Sequence, residues 1–166
     1  EDVQLVLLSG DLLDSGTSYY ETQDVLFRAF SRMKAEIFIS PGNHDFYSPK
    51  SPYAYVRFPE NVHIFTSPLI GSVELTHLGC RVWGAGFNGQ YSRPLLNGFV
   101  SPEDNIINMM VLHGDTGGGV YNHIREAEII ASKLDYLALG HIHSFSGIRQ
   151  AGKTTYAYPG CPEGRG

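Results

Sequence analysis

The 166 residues, 42% of them hydrophobic and 17% charged, have the balance of a folded globular chain rather than a disordered one. A formal charge of −5 argues against a surface that grips polyanions unaided, and no apolar run approaches the roughly 20 residues of a membrane span. Cys80 and Cys161 are too few for a disulfide framework or a cysteine zinc site, and no basic-then-apolar leader is present, so the expected setting is cytoplasmic, reducing and off the membrane.

In chain order, short runs rich in Val, Ile, Leu and Phe predict strands at 4–8, 36–39, 62–65, 72–78, 81–85, 108–112, 136–139, 147–150 and 154–158. Between the first two, Val25, Leu26, Ala29, Phe30 and Met33 share one helical face and predict an amphipathic helix over 20–34. A shorter helix is expected over 124–133, with Ala127, Ile130, Ala131 and Leu134 as its apolar side. Strand, helix, strand at the start implies a parallel crossover, and the close strands between 62 and 85 read as antiparallel ribbons. The expectation is a layered α/β sandwich, with 86–104, rich in Gly, Asn, Ser and Pro, as its flexible piece.

Four of these strands run directly into polar clusters. They are Gly10-Asp11-Leu12-Leu13-Asp14, Gly42-Asn43-His44-Asp45, His113-Gly114-Asp115 and Gly140-His141-Ile142-His143. The carboxyl edge of an open α/β sheet is where ligands bind. Each cluster also has a plainer reading: Pro41-Gly42-Asn43 is strong turn chemistry, and Asp11 with Asp14 would suit a helix N-terminus. Taken together, carboxylate, amide and imidazole donors without a thiolate suit Mn²⁺, Fe²⁺, Zn²⁺ or Mg²⁺. In an extended chain His141 and His143 would face the same side. Asp115 is a candidate for orienting a ligand imidazole. Phe46, Tyr47, Tyr53 and Tyr55 would either anchor the loop or form a stacking platform, and His63, His77 and His123 read as ordinary strand or loop residues.

In this order, the four clusters resemble the motif set of the calcineurin-like metallophosphoesterase superfamily, over nearly the whole chain. The stretch LDYLALGHIH, the long loop between the second and third motifs and the stretch AYPGCPEGRG are most similar to its SbcD-like bacterial DNA-repair exonuclease branch. The resemblance implies an α/β/β/α sandwich of mixed sheets with the metal site at the strand carboxyl ends. It implies two divalent ions, Mn²⁺ first among them, bridged by Asp11. Asn43, His113 and His141 would complete the second ion's shell, and His143 would belong to the first. His44 would protonate the leaving oxygen or stabilise developing charge, with Asp14 holding its imidazole. The family's opening Asp-x-His motif occurs nowhere in the chain, so residues 1–166 are expected to be a catalytic domain lacking its first strand and any C-terminal cap, part of a longer protein. The implied function is phosphodiester hydrolysis as the nuclease subunit of a DNA-repair complex, with DNA and an SbcC-like ATPase as partners and a homodimer among the assemblies allowed. A small-nucleotide phosphodiesterase or phosphatase, and a non-catalytic protein-binding scaffold, are the alternatives.

Overall fold

The computed structural model describes residues 2–13 and 20–161. Its strands form two sheets. The first holds β1 (Leu5–Leu8), β2 (Glu36–Ile39) and β3 (Val62–Ile64), in the order β1-β2-β3. The second holds β4 (Gly71–Leu75), β5 (Cys80–Gly84), β6 (Ile107–His113), β7 (Tyr136–Gly140), β8 (Arg149–Ala151) and β9 (Thr154–Ala157), in the order β4-β5-β6-β7-β9-β8. Helix α1 (Tyr20–Arg32) lies between β1 and β2 in sequence, α2 (Pro52–Tyr55) follows β2, and α3 (Glu126–Ser132) precedes β7.

Strand alternation sorts the side chains into three interfaces. Leu5, Leu7 and Phe38 face Val82, Val111 and Ala138 between the sheets. The intervening Val6, Leu8, Ile37 and Ile39 point outward to Leu26 and Phe30 of α1. On the far side Met110, Leu112, Leu137 and Leu139 pack with Ile129 of α3 and with Leu134. The result is the expected α/β/β/α layering, and the chain is hydrophobic on both faces of each central strand because both faces are covered.

Several boundaries and pairings differ from expectation. The first sheet is wholly parallel rather than mixed, because 62–64 pairs with β2 and forms no ribbon with the next strand. The antiparallel ribbon in this stretch is β4 with β5, and β8 pairs with β9 in the same sense. The expected strand 72–78 stops at Leu75, where Thr76–Leu78 turn as a 3₁₀ helix closed by Gly79 in the left-handed region. On α1 Val25 is exposed, as is Met33 just past the helix end, so the inward stripe narrows to Leu26, Ala29 and Phe30. On α3 the buried face is Glu128, Ile129 and Ser132, while Ala127, Ile130 and Ala131 face solvent. The start of that helix is displaced because Ile124 is drawn into the core, its N–H bonded to the Asp115 carbonyl at 2.9 Å. Residues 86–104 lack regular structure but are pinned by buried Phe87, Leu96 and Ser101.

Candidate metal centre

β1, β2, β6 and β7 all run parallel to their neighbours and end at one edge, so the loops after them meet. They can meet closely because two glycines leave room. A Cβ on Gly10, whose φ is +84°, would lie 2.6 Å from His113 Nδ1, and one on Gly42 would collide with Asp11 Oδ1 and His113. Two of the residues so gathered hold positive φ without being glycine: Asp11 at 52° and His141 at 98°. Such backbone costs on the order of 1–3 kcal/mol each and persists where surrounding contacts over-determine it.

For Asp11 those contacts come from Asp45. Its buried carboxylate accepts the N–H groups of Asp11 (3.1 Å), Leu12 (2.9 Å), Leu13 (3.3 Å) and Gly42 (2.6 Å), and the hydroxyl of Tyr53 at 2.6 Å. One side chain thereby ties the first two polar clusters together. Tyr53 is buried and Tyr47 packs beside it, so these aromatics anchor the loop rather than offer a platform.

At the centre, four donor atoms converge. His113 is fully buried, and its Nδ1 lies 2.8 Å from the Ser9 carbonyl, which can only accept, so Nδ1 carries the proton and Nε2 presents a lone pair. That Nε2 faces Asn43 Oδ1 at 2.9 Å, His141 Nδ1 at 3.2 Å and Asp11 Oδ2 at 3.3 Å. His141 Nδ1 is also 3.2 Å from Asn43 Oδ1. A single proton on His141 Nδ1 would satisfy one of these contacts; the remaining lone pairs face one another, an arrangement that a cation relieves. Burial, with His113 adding to it, holds the His141 imidazole below its ordinary pKa and so in the neutral, ligating form. A carboxylate, an amide oxygen and two imidazoles suit a hard or borderline divalent ion, and Asp11, His113 and His141 form a candidate metal site.

The other expected residues stand around this cluster. His44 is exposed at the rim, its N–H bonded to Asp11 Oδ1 at 2.9 Å. His143 is exposed and lines a cavity of about 410 Å³ with Asp11, His141 and Cys161, outside the converging set. The chain leaves the extended form at His141, and His141 and His143 line the same cavity. Asp14 lies outside the described residues. Asp115 accepts from Gly117 N–H at 2.6 Å, and it is the Ser9 carbonyl that orients His113.

The family model for calcineurin-like phosphoesterase matches residues 1–145. The chain belongs to the calcineurin-like phosphoesterase family. This family carries out metal-dependent phosphoester hydrolysis, which accords with the donor set. The chain is 29% identical over 177 residues to a protein of Bacillus subtilis (strain 168) named Uncharacterized metallophosphoesterase YhaO, an alignment covering 99% of this chain and 42% of that protein. Among the described residues of this family member, no helix is long and apolar enough to cross a membrane.

Three supports of the site carry no motif of their own. Tyr158, buried, donates its hydroxyl to the Gly114 carbonyl at 2.9 Å and accepts from Thr116 N–H at 3.1 Å, bracing the loop after His113. Phe87 stands edge-on to the His113 ring at 5.4 Å. Asn122, fully buried with φ 52°, donates to the His113 carbonyl at 2.7 Å and accepts from Leu95 N–H at 2.6 Å. An Asn beside a turn was the only available signal, and it does not reveal which loops are bridged.

Proposed function

We propose that this phosphoesterase domain hydrolyses phosphodiester bonds in DNA, with Mn²⁺ as its working ion. The observation that carries the hydrolytic part is the convergence of lone pairs from Asp11, Asn43, His113 and His141. These residues would hold a divalent ion, and the ion when bound supplies Lewis acidity toward a phosphoryl oxygen and activates water. His44, exposed beside Asp11, would donate a proton to the departing oxygen, and Asp14 would orient that imidazole. The DNA assignment is supported by the likeness of the motifs to the SbcD-like branch. An SbcC-like ATPase would supply the basic surface that a chain of net charge −5 lacks.

A second ion would need more ligands than Asp11 and His143. We propose that an upstream strand bearing Asp-x-His adds to β1. β1 is an edge strand of its sheet among the described residues. Gln4 and Leu8 spend their carbonyls on β2, so by parallel-ladder alternation the N–H and C=O groups of Leu5 and Leu7 point the other way. Two adjoining cavities, of about 410 and 310 Å³, run along that edge and are walled by Leu7, Met109, Ala138 and Ala157. An added strand would fill this apolar trough and end beside Asp11 and His143.

The test is hydrolysis by the full-length protein with Mn²⁺ on linear duplex DNA, single-stranded DNA, a dinucleoside phosphate and a chromogenic phosphodiester. The expected result is DNA cleavage abolished by chelation and by His113→Ala. Turnover of the small diesters alone would favour the nucleotide phosphodiesterase, and no turnover by metal-loaded protein would favour the scaffold.

A further inference from the structure

Beside the donor cluster, three rings run from solvent inward. Tyr91 stacks on Tyr121 with centroids 5.6 Å apart and planes 26° apart, and Tyr121 lies on His141 at 5.0 Å and 39°. The two tyrosines come from separate loops, 86–104 and 114–123, that are hydrogen-bonded to each other. Ser92 N–H donates to the Val120 carbonyl and Asn122 N–H to the Ser92 carbonyl, at 3.3 and 3.2 Å, while the Asn122 side chain fastens Leu95 to the His113 carbonyl. Packing alone would bury such a stack, yet Tyr91 keeps 59% of its surface exposed. A rigid, solvent-facing aromatic ring next to metal-ligating histidines is well suited to a flat partner, because stacking needs a planar face and little induced fit.

We propose that Tyr91 and Tyr121 form a stacking subsite for a nucleobase, placed so that the phosphate of the same nucleotide reaches the donor cluster. This deepens the hydrolase reading and rests on it: the phosphoester would be that of a nucleotide, free or within a strand. Stacking on aromatic side chains is indifferent to base identity, so the subsite predicts little sequence preference.

The full-length protein with metal chelated tests this without hydrolysis. The probes are 2-aminopurine deoxyribonucleoside 5′-monophosphate, and a pentanucleotide bearing one 2-aminopurine among abasic positions. An all-abasic pentanucleotide serves as competitor. Base fluorescence should be quenched on binding. Tyr91→Leu should weaken a base-bearing probe by about 5- to 150-fold, the range of a lost base–aromatic stack, while Tyr91→Phe stays within about twofold and the abasic competitor is unaffected. An effect on the pentanucleotide alone identifies a nucleic-acid strand, and an effect on the monophosphate identifies a free nucleotide; either supports the subsite. Absence of quenching, or equal weakening of the abasic competitor, overturns it. Quenching that depends on Tyr91 in a protein that hydrolyses no phosphodiester would instead sink the hydrolase reading and leave the subsite standing.

Discussion

Asp45 spends two oxygens on five donors, four of them backbone N–H groups. Asp45→Asn would turn an NH₂ toward some of these donors and leave them unpaired. We expect a loss of ~3 kcal/mol in denaturant unfolding, together with weaker metal binding because these bonds hold the loop that carries Asp11; a change below about 1 kcal/mol would contradict the role. His44 is a different case, since it bonds to Asp11 only through its backbone and stands at the rim. In the full-length protein, His44→Ala should leave metal content unchanged and lower kcat by about 10²- to 10⁴-fold, the range of general acid catalysis. Loss of metal in that variant would make the residue a ligand. The choice of Asp11, Asn43, His113 and His141 among the polar residues at strand ends rested on the family resemblance, while the clusters that hold them were legible there. The strained backbone of Asp11 and His141 was not, because a positive φ at a non-glycine residue is imposed by tertiary contacts and leaves no local mark. Nor was Ser9, whose part is played by a carbonyl that every residue possesses.

At the level of elements, β1, β2, β6 and β7 were legible because each is a short apolar run followed by glycine and polar residues. Pairing was less so: the run at 62–64 looks like half of a ribbon, and only its docking on β2 shows that it is parallel. α3 shows the limit of periodicity in short helices. Seven residues make two turns, and with Ala127, Ile130 and Ala131 on offer the hydrophobic pattern points to the wrong face. Glu128 decides it. Its carboxylate accepts from Arg125 N–H at 2.8 Å and pairs with the Arg125 guanidinium at 2.8 Å, fixing the first turn and turning Ile129 into the core. Burial pushes the Glu128 pKa up, but the Arg125 hydrogen bonds and charge outweigh it and the net shift is downward. A depressed carboxylate contributes stability that is fully present above its unfolded pKa, about 4.3, and lost as pH falls through the folded value. Glu128→Gln should therefore lower Tm at neutral pH by an amount equivalent to about 1 kcal/mol, and the difference from the unaltered protein should shrink below about pH 4. A pH-independent difference would assign the effect to packing instead.

Across the whole molecule, two sheets and their flanking helices act as a frame that brings four strand ends to one edge and, among the described residues, leaves β1 with an open side. Metal stoichiometry follows from that frame. Residues 1–166 alone should bind one Mn²⁺ tightly, since Asp11 and His143 leave most of an octahedral shell to water, whereas the full-length protein should bind two; two tight sites in the 166-residue chain, read by titration calorimetry, would contradict the strand-addition proposal. The central claim is that Asp11, Asn43, His113 and His141 hold the ion around which the chemistry takes place. Anomalous diffraction from crystals of the protein grown with Mn²⁺ tests it most directly: the account predicts a peak about 2.2 Å from Asp11 Oδ2, Asn43 Oδ1, His113 Nε2 and His141 Nδ1, and a peak that misses these atoms, or one that survives unchanged in His113→Ala, would contradict it.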